Sequence, residues 1–157
     1  MGEHRLSSYY KGRVCLAGDA AHATSPYHGA GEGCSIEDAV LLALLMADVQ
    51  VQTARDLEAV FAVYDAHRRE RTQWIVQSSR RAGNLVEFLA PDVGEDIGKI
   101  EKELTDRLSQ IWKFDLEDSV RQARNDLHRR LDVPGMHRYD SQVMPFFINE
   151  QNTLEIS

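Results

Sequence analysis

The feature that most constrains this chain is an apolar run that stops at a Gly-Asp pair and is followed by a cluster of glycines. The run occupies residues 12–17, the pair is Gly18 and Asp19, and the cluster spans residues 29–33 as G-A-G-E-G. Glycine is unfavourable in a helix, yet the cluster opens a strongly apolar helical segment. Glycine also removes the side chains that would hold a ligand away from the backbone. The pattern therefore predicts a strand, a loop and a helix start that together approach a polar ligand.

The apolar run predicts one short strand. Residues 13–17 include the β-branched Val14 and end at Gly18, which is typical of a buried strand. Asp19 then lies at the carboxyl end of that strand, where open α/β sheets place their ligand-binding groups. No partner for this strand is evident elsewhere in the sequence, so we expect its backbone to be left partly unpaired.

Four helices are expected after the strand. Apolar residues recur at helical spacing over residues 31–49, 53–88, 97–111 and 116–131. The first of these segments is apolar around much of its circumference and should be buried. We therefore expect a mainly α chain with one short strand and four helices, followed by an irregular tail over residues 132–157.

Local signals mark the ends of the helices. Thr53 and Asp56 have the spacing of a capping box, with Asp in place of Glu, and Asp115 is placed as an N-cap. Gly83 and Asn84 predict a bend in the long second helix.

The charge and composition exclude several classes of function. A net charge of -7 and a pI near 5.3 argue against a nucleic-acid partner, which requires a concentrated basic face. Basic residues alternate with acids, so the arginines of residues 67–71 and 80–81 are expected on solvated faces or in ion pairs. No apolar run approaches the length of a transmembrane helix, and two cysteines suit a soluble, cytoplasmic protein.

Metal and disulfide chemistry is not expected. Cys15 and Cys34 do not form a disulfide framework, nor a zinc site, which needs four ligands at short spacings. His22 and His28 flank the loop but lack a third ligand at a suitable spacing. No metal site is therefore predicted.

The residue types of the opening motif suit a polar cofactor. The carboxylate of Asp19 can accept hydrogen bonds from sugar or ribityl hydroxyls. A helix that begins at Gly31 aims unpaired N–H groups and its positive dipole end at the space before it, which suits a partly anionic ring edge. On residue types alone, a ligand-free loop-to-helix corner with an N-capping aspartate remains the alternative.

Two pairs of residues carry weaker signals. Glu37 and Asp38 are adjacent on a predicted helix and point to different faces, so they are expected to complement the helix dipole rather than to form a catalytic pair. Trp74 and Trp112 lie on helical patterns and are expected to pack in a core or an interface.

Residues 12–39 resemble the second FAD-binding motif of the flavoprotein monooxygenases that hydroxylate aromatic rings, in their salicylate hydroxylase-like branch. The expected order is G-R-V-x-L-x-G-D-A-A-H, a proline, G-A-G-x-G and E-D-A, and every element is present. Residues 64–71 and 111–117 resemble later segments of this branch, which extends the resemblance over residues 10–130.

The resemblance implies the C-terminal portion of an α/β, Rossmann-like FAD-binding fold. Residues 10–50 would form a partial FAD-binding domain with the Gly-Asp motif and the glycine-rich helix start. Residues 53–131 would form a C-terminal helical region, and residues 132–157 the tail.

The resemblance also implies which residues bind FAD. Asp19 would contact the ribityl chain, and Pro26 would lie beside the isoalloxazine ring. The backbone of residues 29–31 would face the N1–C2=O edge of the ring, where negative charge grows on reduction. From its position in the loop, His28 is predicted to border the flavin or the substrate. The full set of predicted cofactor contacts is Gly18, Asp19, Pro26, Gly29, Ala30, Gly31 and Glu32, and no catalytic residue is assigned.

The activity implied by the resemblance is the NAD(P)H-dependent hydroxylation of a small, salicylate-like aromatic substrate with O2. Members of the family begin with a G-x-G-x-x-G Rossmann unit, and this sequence contains none. We therefore expect an incomplete portion of such an enzyme that is inactive alone and prone to self-association. Two alternatives stay open: a non-catalytic helical interaction module, and a fragment of a related flavin epoxidase.

Overall fold

The computed structural model of the chain describes residues 6–132. Its elements in chain order are β1 (Tyr10–Lys11), β2 (Val14–Cys15), α1 (Asp19–His22), the 3-10 turn Pro26–His28, α2 (Gly31–Met46), α3 (Asp56–Val86), α4 (Ile97–Trp112) and α5 (Leu116–Leu131). The mainly helical fold class and the four long helices predicted from the apolar spacing are confirmed. The predicted irregular tail spans residues 132–157, and all of it after residue 132 lies outside the described residues.

β1 and β2 form an antiparallel hairpin, which corrects the prediction of a single strand without a partner. Tyr10 pairs with Cys15 and Lys11 pairs with Val14. The turn between them begins at Gly12, whose φ of 56° favours glycine. The side chain of Val14 is 67% exposed, so the prediction of a buried strand is also wrong. A strand is buried on both faces only in a larger sheet that is covered by other elements. Within the described residues, β2 pairs only with β1.

Tyr9 attaches the hairpin to α3. Its N–H donates to Oδ1 of Asp65 at 2.8 Å, and its hydroxyl lies 2.7 Å from Oγ1 of Thr72. Tyr9 is fully buried. The hairpin, and with it the Gly-Asp pair that follows, is therefore fixed to the central helix.

The long helix α3 is the centre of the core, where it packs against both α2 and α5. Apolar residues at helical spacing face one another across these three helices and exclude water. The fully buried members of this cluster include Leu41, Leu45, Val60, Val63, Tyr64, Ala123 and Leu127. Their burial sets the position of α2 relative to α3.

The predicted N-cap of α5 is confirmed, and the hydrogen bonds of the predicted capping box form just ahead of α3, which begins at Asp56. The N–H of Asp56 donates to Oγ1 of Thr53 at 3.3 Å, and the N–H of Thr53 donates to Oδ2 of Asp56 at 2.8 Å, which is the reciprocal pattern of a capping box. The carboxylate of Asp115 accepts from the N–H of Asp118 at 2.8 Å at the start of α5.

Gly83 has a packing role that its sequence context does not indicate. α3 continues without interruption through Gly83 and Asn84 to Val86, so this pair does not break the helix. A Cβ at Gly83 would lie 2.5 Å from Cε2 of Tyr27. The absence of a side chain therefore allows the ring of Tyr27, in the 3-10 turn, to pack directly on the α3 backbone.

α3 ends in a left-handed residue that is not glycine. Phe88 has a φ of 57°, a conformation that side chains other than glycine adopt rarely. The N–H of Leu89 donates to the carbonyl of Asn84 at 2.7 Å, and the N–H of Phe88 donates to the carbonyl of Leu85 at 3.2 Å. These two bonds form a Schellman motif, which usually has glycine at the position that Phe88 occupies.

The outer face of α2 is apolar and exposed, so the predicted burial of this helix holds for its inner face only. Ile36 is 63% exposed and Leu44 is 44% exposed, although Leu41 on the inner face is fully buried. Among residues 6–132 only the inner face has helices packed against it. Trp112 is likewise 73% exposed, so its predicted packing is absent from the described residues, whereas Trp74 is partly buried against a small apolar cluster.

Candidate functional site

The Gly-Asp pair forms a tight turn between β2 and α1. Gly18 has a φ of 57°, and its carbonyl accepts hydrogen bonds from the N–H groups of Ala21 and His22, both at 2.9 Å. Asp19 follows and is exposed. Its carboxylate has no hydrogen-bond or ion-pair partner among residues 6–132. This carboxylate is therefore available to accept hydrogen bonds from a ligand.

The loop between α1 and α2 is shaped by α3 and open on its outer side. The N–H of Gly29 donates to the carbonyl of Pro26 at 3.0 Å, and the hydroxyl of Ser79 donates to the carbonyl of Ser25 at 2.6 Å. Pro26 and Gly29 are exposed, and a Cβ at Gly29 would meet no atom within 4 Å. The loop thus presents bare backbone to the outside.

His28 belongs to this loop, and its side chain is buried. Its Nε2 lies 3.0 Å from Oγ of Ser78, a hydroxyl that also accepts a hydrogen bond from Arg107 at 3.2 Å. Burial lowers the pKa of His28 below its ordinary value, so the imidazole is neutral at neutral pH. Contact between His28 and a substrate stays a prediction.

α2 begins with N–H groups that have no helical acceptor. The N–H of Cys34 donates to the carbonyl of Ala30 at 3.0 Å, so the N–H groups of the three preceding residues, Gly31, Glu32 and Gly33, lie ahead of the first helical bond. Glu32 and Gly33 are exposed, and a Cβ at Gly33 would meet no atom within 4 Å. Together with the helix dipole, these donors suit an anionic or electron-rich group.

The turn, the loop and the helix start lie next to one another. The N–H of Gly18 donates to Oδ2 of Asp38 in α2 at 2.9 Å. A Cβ at Gly18 would lie 3.1 Å from Oγ of Ser35, and that hydroxyl donates to the carbonyl of Gly31 at 3.1 Å. A Cβ at Gly31 would lie 2.9 Å from Oγ1 of Thr24 in the loop. The three segments predicted to form one site are therefore adjacent.

A buried ion-pair network supports the site from the inner side of α2. Oδ2 of Asp38 lies 2.6 Å from Nε2 of His22, and Oδ1 of Asp38 accepts from Nε of Arg68 at 2.7 Å. Arg68 is fully buried, and its Nη1 lies 2.7 Å from Oε2 of Glu37. Both carboxylates are paired with arginine from α3, a role that was not predicted, and their effect on the helix dipole stays a prediction.

The network keeps its charges at neutral pH. Burial by itself would raise the pKa of Asp38, but hydrogen bonds from His22, Gly18 and Arg68 outweigh it and lower the pKa from 3.8 to about 2. Burial likewise opposes ionisation of Glu37, and its arginine partners lower the pKa of that carboxyl. The charge of the buried arginine is thus balanced by two carboxylates.

Arg71 extends the network to the junction of α4 and α5. Its guanidinium donates to both oxygens of Glu37, at 2.7 and 2.9 Å, and its central carbon lies 3.6 Å from the ring centroid of Phe114. This geometry combines a bidentate ion pair with a cation–π contact. The prediction that arginines of residues 67–71 form ion pairs is confirmed.

Sequence reasoning missed Arg68. The available signal was its place on the buried stripe of α3: Phe61, Tyr64 and Arg68 follow a helical spacing of apolar positions. An arginine on such a stripe requires a buried acidic partner, and Asp38 on α2 supplies one.

The fold and this glycine-rich site define a segment of a cofactor-binding domain. Comparison with known proteins identifies the family of that domain. The family model of the FAD binding domain matches residues 1–79 of the 157. The chain belongs to this family of FAD-binding proteins, and its relatives are FAD-dependent monooxygenases.

Two curated relatives and one solved structure illustrate the match. An FAD-dependent monooxygenase of Monascus ruber, pigN, is 45% identical over 137 residues, which cover 83% of this chain and 31% of the relative. The salicylate hydroxylase asL1 of Sarocladium schorii is 38% identical over 144 residues, which cover 82% of this chain and 30% of the relative. A salicylate hydroxylase solved as a substrate complex superposes with a TM-score of 0.71 at 41% identity, over 76% of this chain and 29% of that one.

The chain spans about a third of the length of the relatives that it matches. FAD is the cofactor of the family, as the sequence predicts. Within residues 6–132, no helix combines the length and apolar character that crossing a membrane requires.

Proposed function

We propose that this chain is the FAD-binding, C-terminal portion of an NAD(P)H-dependent monooxygenase that hydroxylates a small, salicylate-like aromatic substrate. The observation that carries the proposal is the open backbone at the start of α2, close to the exposed carboxylate of Asp19. The similarity to FAD-dependent monooxygenases supports it. FAD, when bound, supplies the redox chemistry that couples NAD(P)H and O2 to ring hydroxylation.

The residues present fit this cofactor. Asp19 is exposed and unpartnered among the described residues, so it can accept hydrogen bonds from ribityl hydroxyls. The N–H groups that precede Cys34 would stabilise the negative charge that develops along the N1–C2=O edge of the ring. The proposed contacts are Gly18, Asp19, Pro26, Gly29, Ala30, Gly31 and Glu32.

The loop would separate the cofactor from the substrate. Pro26 is exposed and rigid, which suits a residue beside the isoalloxazine ring. His28 is proposed to border the substrate, with its neutral imidazole oriented by Ser78. The neutral, oriented imidazole of His28, within the loop, would help to exclude water from the reacting atoms.

The rest of the site is proposed to come from a segment that the longer relatives have. The sequence contains no G-x-G-x-x-G unit, so contacts to the pyrophosphate and adenosine are missing from this chain. The exposed apolar face of α2, with Ile36 and Leu44, suits the packing of such a segment. This chain alone would therefore be inactive.

A chimera tests the proposal. Residues 6–132 would replace the matching segment of the Monascus ruber relative, which is 45% identical to this chain. We expect the purified chimera to retain flavin, read from its visible absorbance, and to oxidise NAD(P)H in the presence of salicylate-like aromatics. A folded chimera without flavin would favour the alternative of a helical interaction module. An epoxide as the product would identify a flavin epoxidase.

The chain by itself gives a complementary test. Because the pyrophosphate contacts are missing, calorimetric titration with FAD should show weak binding or none. Tight, stoichiometric binding would show that residues of this chain form a complete site, and would overturn the proposal that it is a portion of one.

A further inference from the structure

We infer that Asp38 and Arg68 are positioning residues for the turn that carries Asp19, acting through the backbone of α1 and not by touching the cofactor. This inference rests on the proposed FAD site. It assigns a function to a buried ion pair that lies behind the site.

One carboxylate oxygen of Asp38 holds both ends of α1. Oδ2 of Asp38 accepts from the N–H of Gly18, just before the helix, at 2.9 Å. The same oxygen lies 2.6 Å from Nε2 of His22, the last residue of the helix. α1 has only four residues, and a helix of one turn does not sustain itself. Its conformation therefore depends on this outside attachment.

Arg68 fixes the carboxylate of Asp38 to which α1 is attached. Nε of Arg68 donates to Oδ1 of Asp38 at 2.7 Å, which leaves Oδ2 free for α1. The same guanidinium donates to the carbonyl of Cys34 at 3.2 Å and pairs with Glu37 at 2.7 Å. These contacts come from a planar, fully buried group on the longest helix. Asp38 is therefore held in one orientation.

The direction of the Asp19 carboxylate depends on the backbone that carries it. Its side chain is exposed and has no partner among residues 6–132, so no side-chain contact there directs it. The direction of the carboxylate is set by the left-handed Gly18 before it and by α1. A change in the Asp38 attachment would therefore move the group proposed to bind the ribityl chain.

Residue-resolved hydrogen exchange of the 157-residue chain, at low micromolar concentration and without ligand, tests the attachment. In the wild type, the N–H of Gly18 should exchange more slowly than that of Ala17, which has no acceptor among the described residues. Asp38→Asn should accelerate exchange at Gly18 by roughly tenfold or more, because a bond to a charged acceptor is lost. This acceleration should exceed the acceleration at the amides of Leu41 and Leu45, which report opening of the core of α2.

Glu37→Gln is the matched control. It removes a neighbouring carboxylate that pairs with the same arginine but makes no contact with Gly18. Equal acceleration at Gly18 in both variants would overturn the inference. If Asp38→Asn destabilises the whole of α2, the test is the comparison of the Gly18 and Ala17 amides in the wild-type chain. A Gly18 amide that exchanges as fast as the Ala17 amide would overturn the inference.

Flavin affinity in the chimera links the attachment to the cofactor. Asp38→Asn should weaken FAD binding by roughly tenfold relative to Glu37→Gln, at matched thermal stability. Loss of flavin from the unmodified chimera would contradict the proposed function and leave the exchange result standing. Equal FAD affinity in the two variants, with Gly18 exchange accelerated only in Asp38→Asn, would overturn the positioning role.

Discussion

The carboxylate of Asp48, just past the end of α2, lies 2.8 Å from Nε2 of His128 in α5. Arg124, one turn earlier in α5, donates to the same oxygen at 3.1 Å, and the N–H of Gln50 donates to the other oxygen at 3.1 Å. Asp48 is buried, and its partners lower the pKa of its carboxyl despite that burial. This residue fastens α5 to the end of α2.

Asp48→Ala should destabilise the fold. Removal of the carboxylate leaves the donors of Gln50 and His128 without their acceptor, at an expected cost of about 1–3 kcal/mol in the free energy of unfolding. Urea denaturation measures the effect. Asp106→Ala is the control, because Asp106 forms an exposed pair with Lys102, and such pairs contribute about 0–1 kcal/mol. Equal losses in the two variants would contradict the assignment.

Stability should fall in acid because of Asp38. Its folded pKa of about 2 lies below its ordinary value of 3.8, so the stabilisation is present above pH 3.8 and is lost as the pH falls towards 2. The difference corresponds to about 2 kcal/mol. Urea denaturation at a series of acidic pH values should therefore show a flatter dependence in Asp38→Asn. A slope identical to that of the wild type would count against this origin of the acid sensitivity.

Phe88→Gly should stabilise the end of α3. Phe88 has a φ of 57°, where glycine has no steric penalty. Phe88→Ala removes the exposed ring but keeps the Cβ, so it isolates the backbone effect. We expect the glycine variant to exceed the alanine variant by about 1 kcal/mol in unfolding free energy. An alanine variant of equal or greater stability would show that this turn is not strained.

Asp19→Ala should reduce flavin occupancy of the chimera. Loss of the acceptor for ribityl hydroxyls should cost about 1–3 kcal/mol of binding free energy. Fluorescence titration of the apoprotein with FAD provides the affinity. Glu101→Ala, at an exposed carboxylate on α4, is the control for the change in charge. Unchanged FAD affinity in a folded Asp19→Ala chimera would remove Asp19 from the site.

The chain should associate with itself through the outer face of α2. Exposed apolar side chains such as Ile36 and Leu44 favour contacts that exclude water. Light scattering should show a mass that rises with concentration, and Leu44→Lys should reduce the rise more than Trp112→Lys, which alters an exposed apolar residue on α4. A monodisperse monomer at every concentration would contradict this expectation.

Local signals were sufficient to predict the long helices. The start of α5 was predicted from Asp115 and its end from the apolar stripe, and the structure has the helix at Leu116–Leu131. A cap and a helical stripe depend on residues a few positions apart. The hairpin escaped prediction because Tyr10 and Lys11 are too few to form a pattern.

The supports of the site depend on contacts between distant residues, and these were not predicted. Asp38 binds Gly18 on one side and Arg68 on the other, across three separate elements. The residue types at the helix start predicted an open backbone, but no local pattern shows which buried group holds it in place. The packing role of Gly83 is not predicted for the same reason, since its partner Tyr27 is distant in the sequence.

The contact between Tyr27 and Gly83 links two positions in evolution. The aromatic ring occupies the volume that any side chain at position 83 would need. A lineage that replaces this glycine must exchange the tyrosine for a smaller residue, or pass through an intermediate in which the ring of Tyr27 is displaced from α3. Among homologous sequences, glycine at 83 should therefore accompany an aromatic residue at 27, and the two should be lost together.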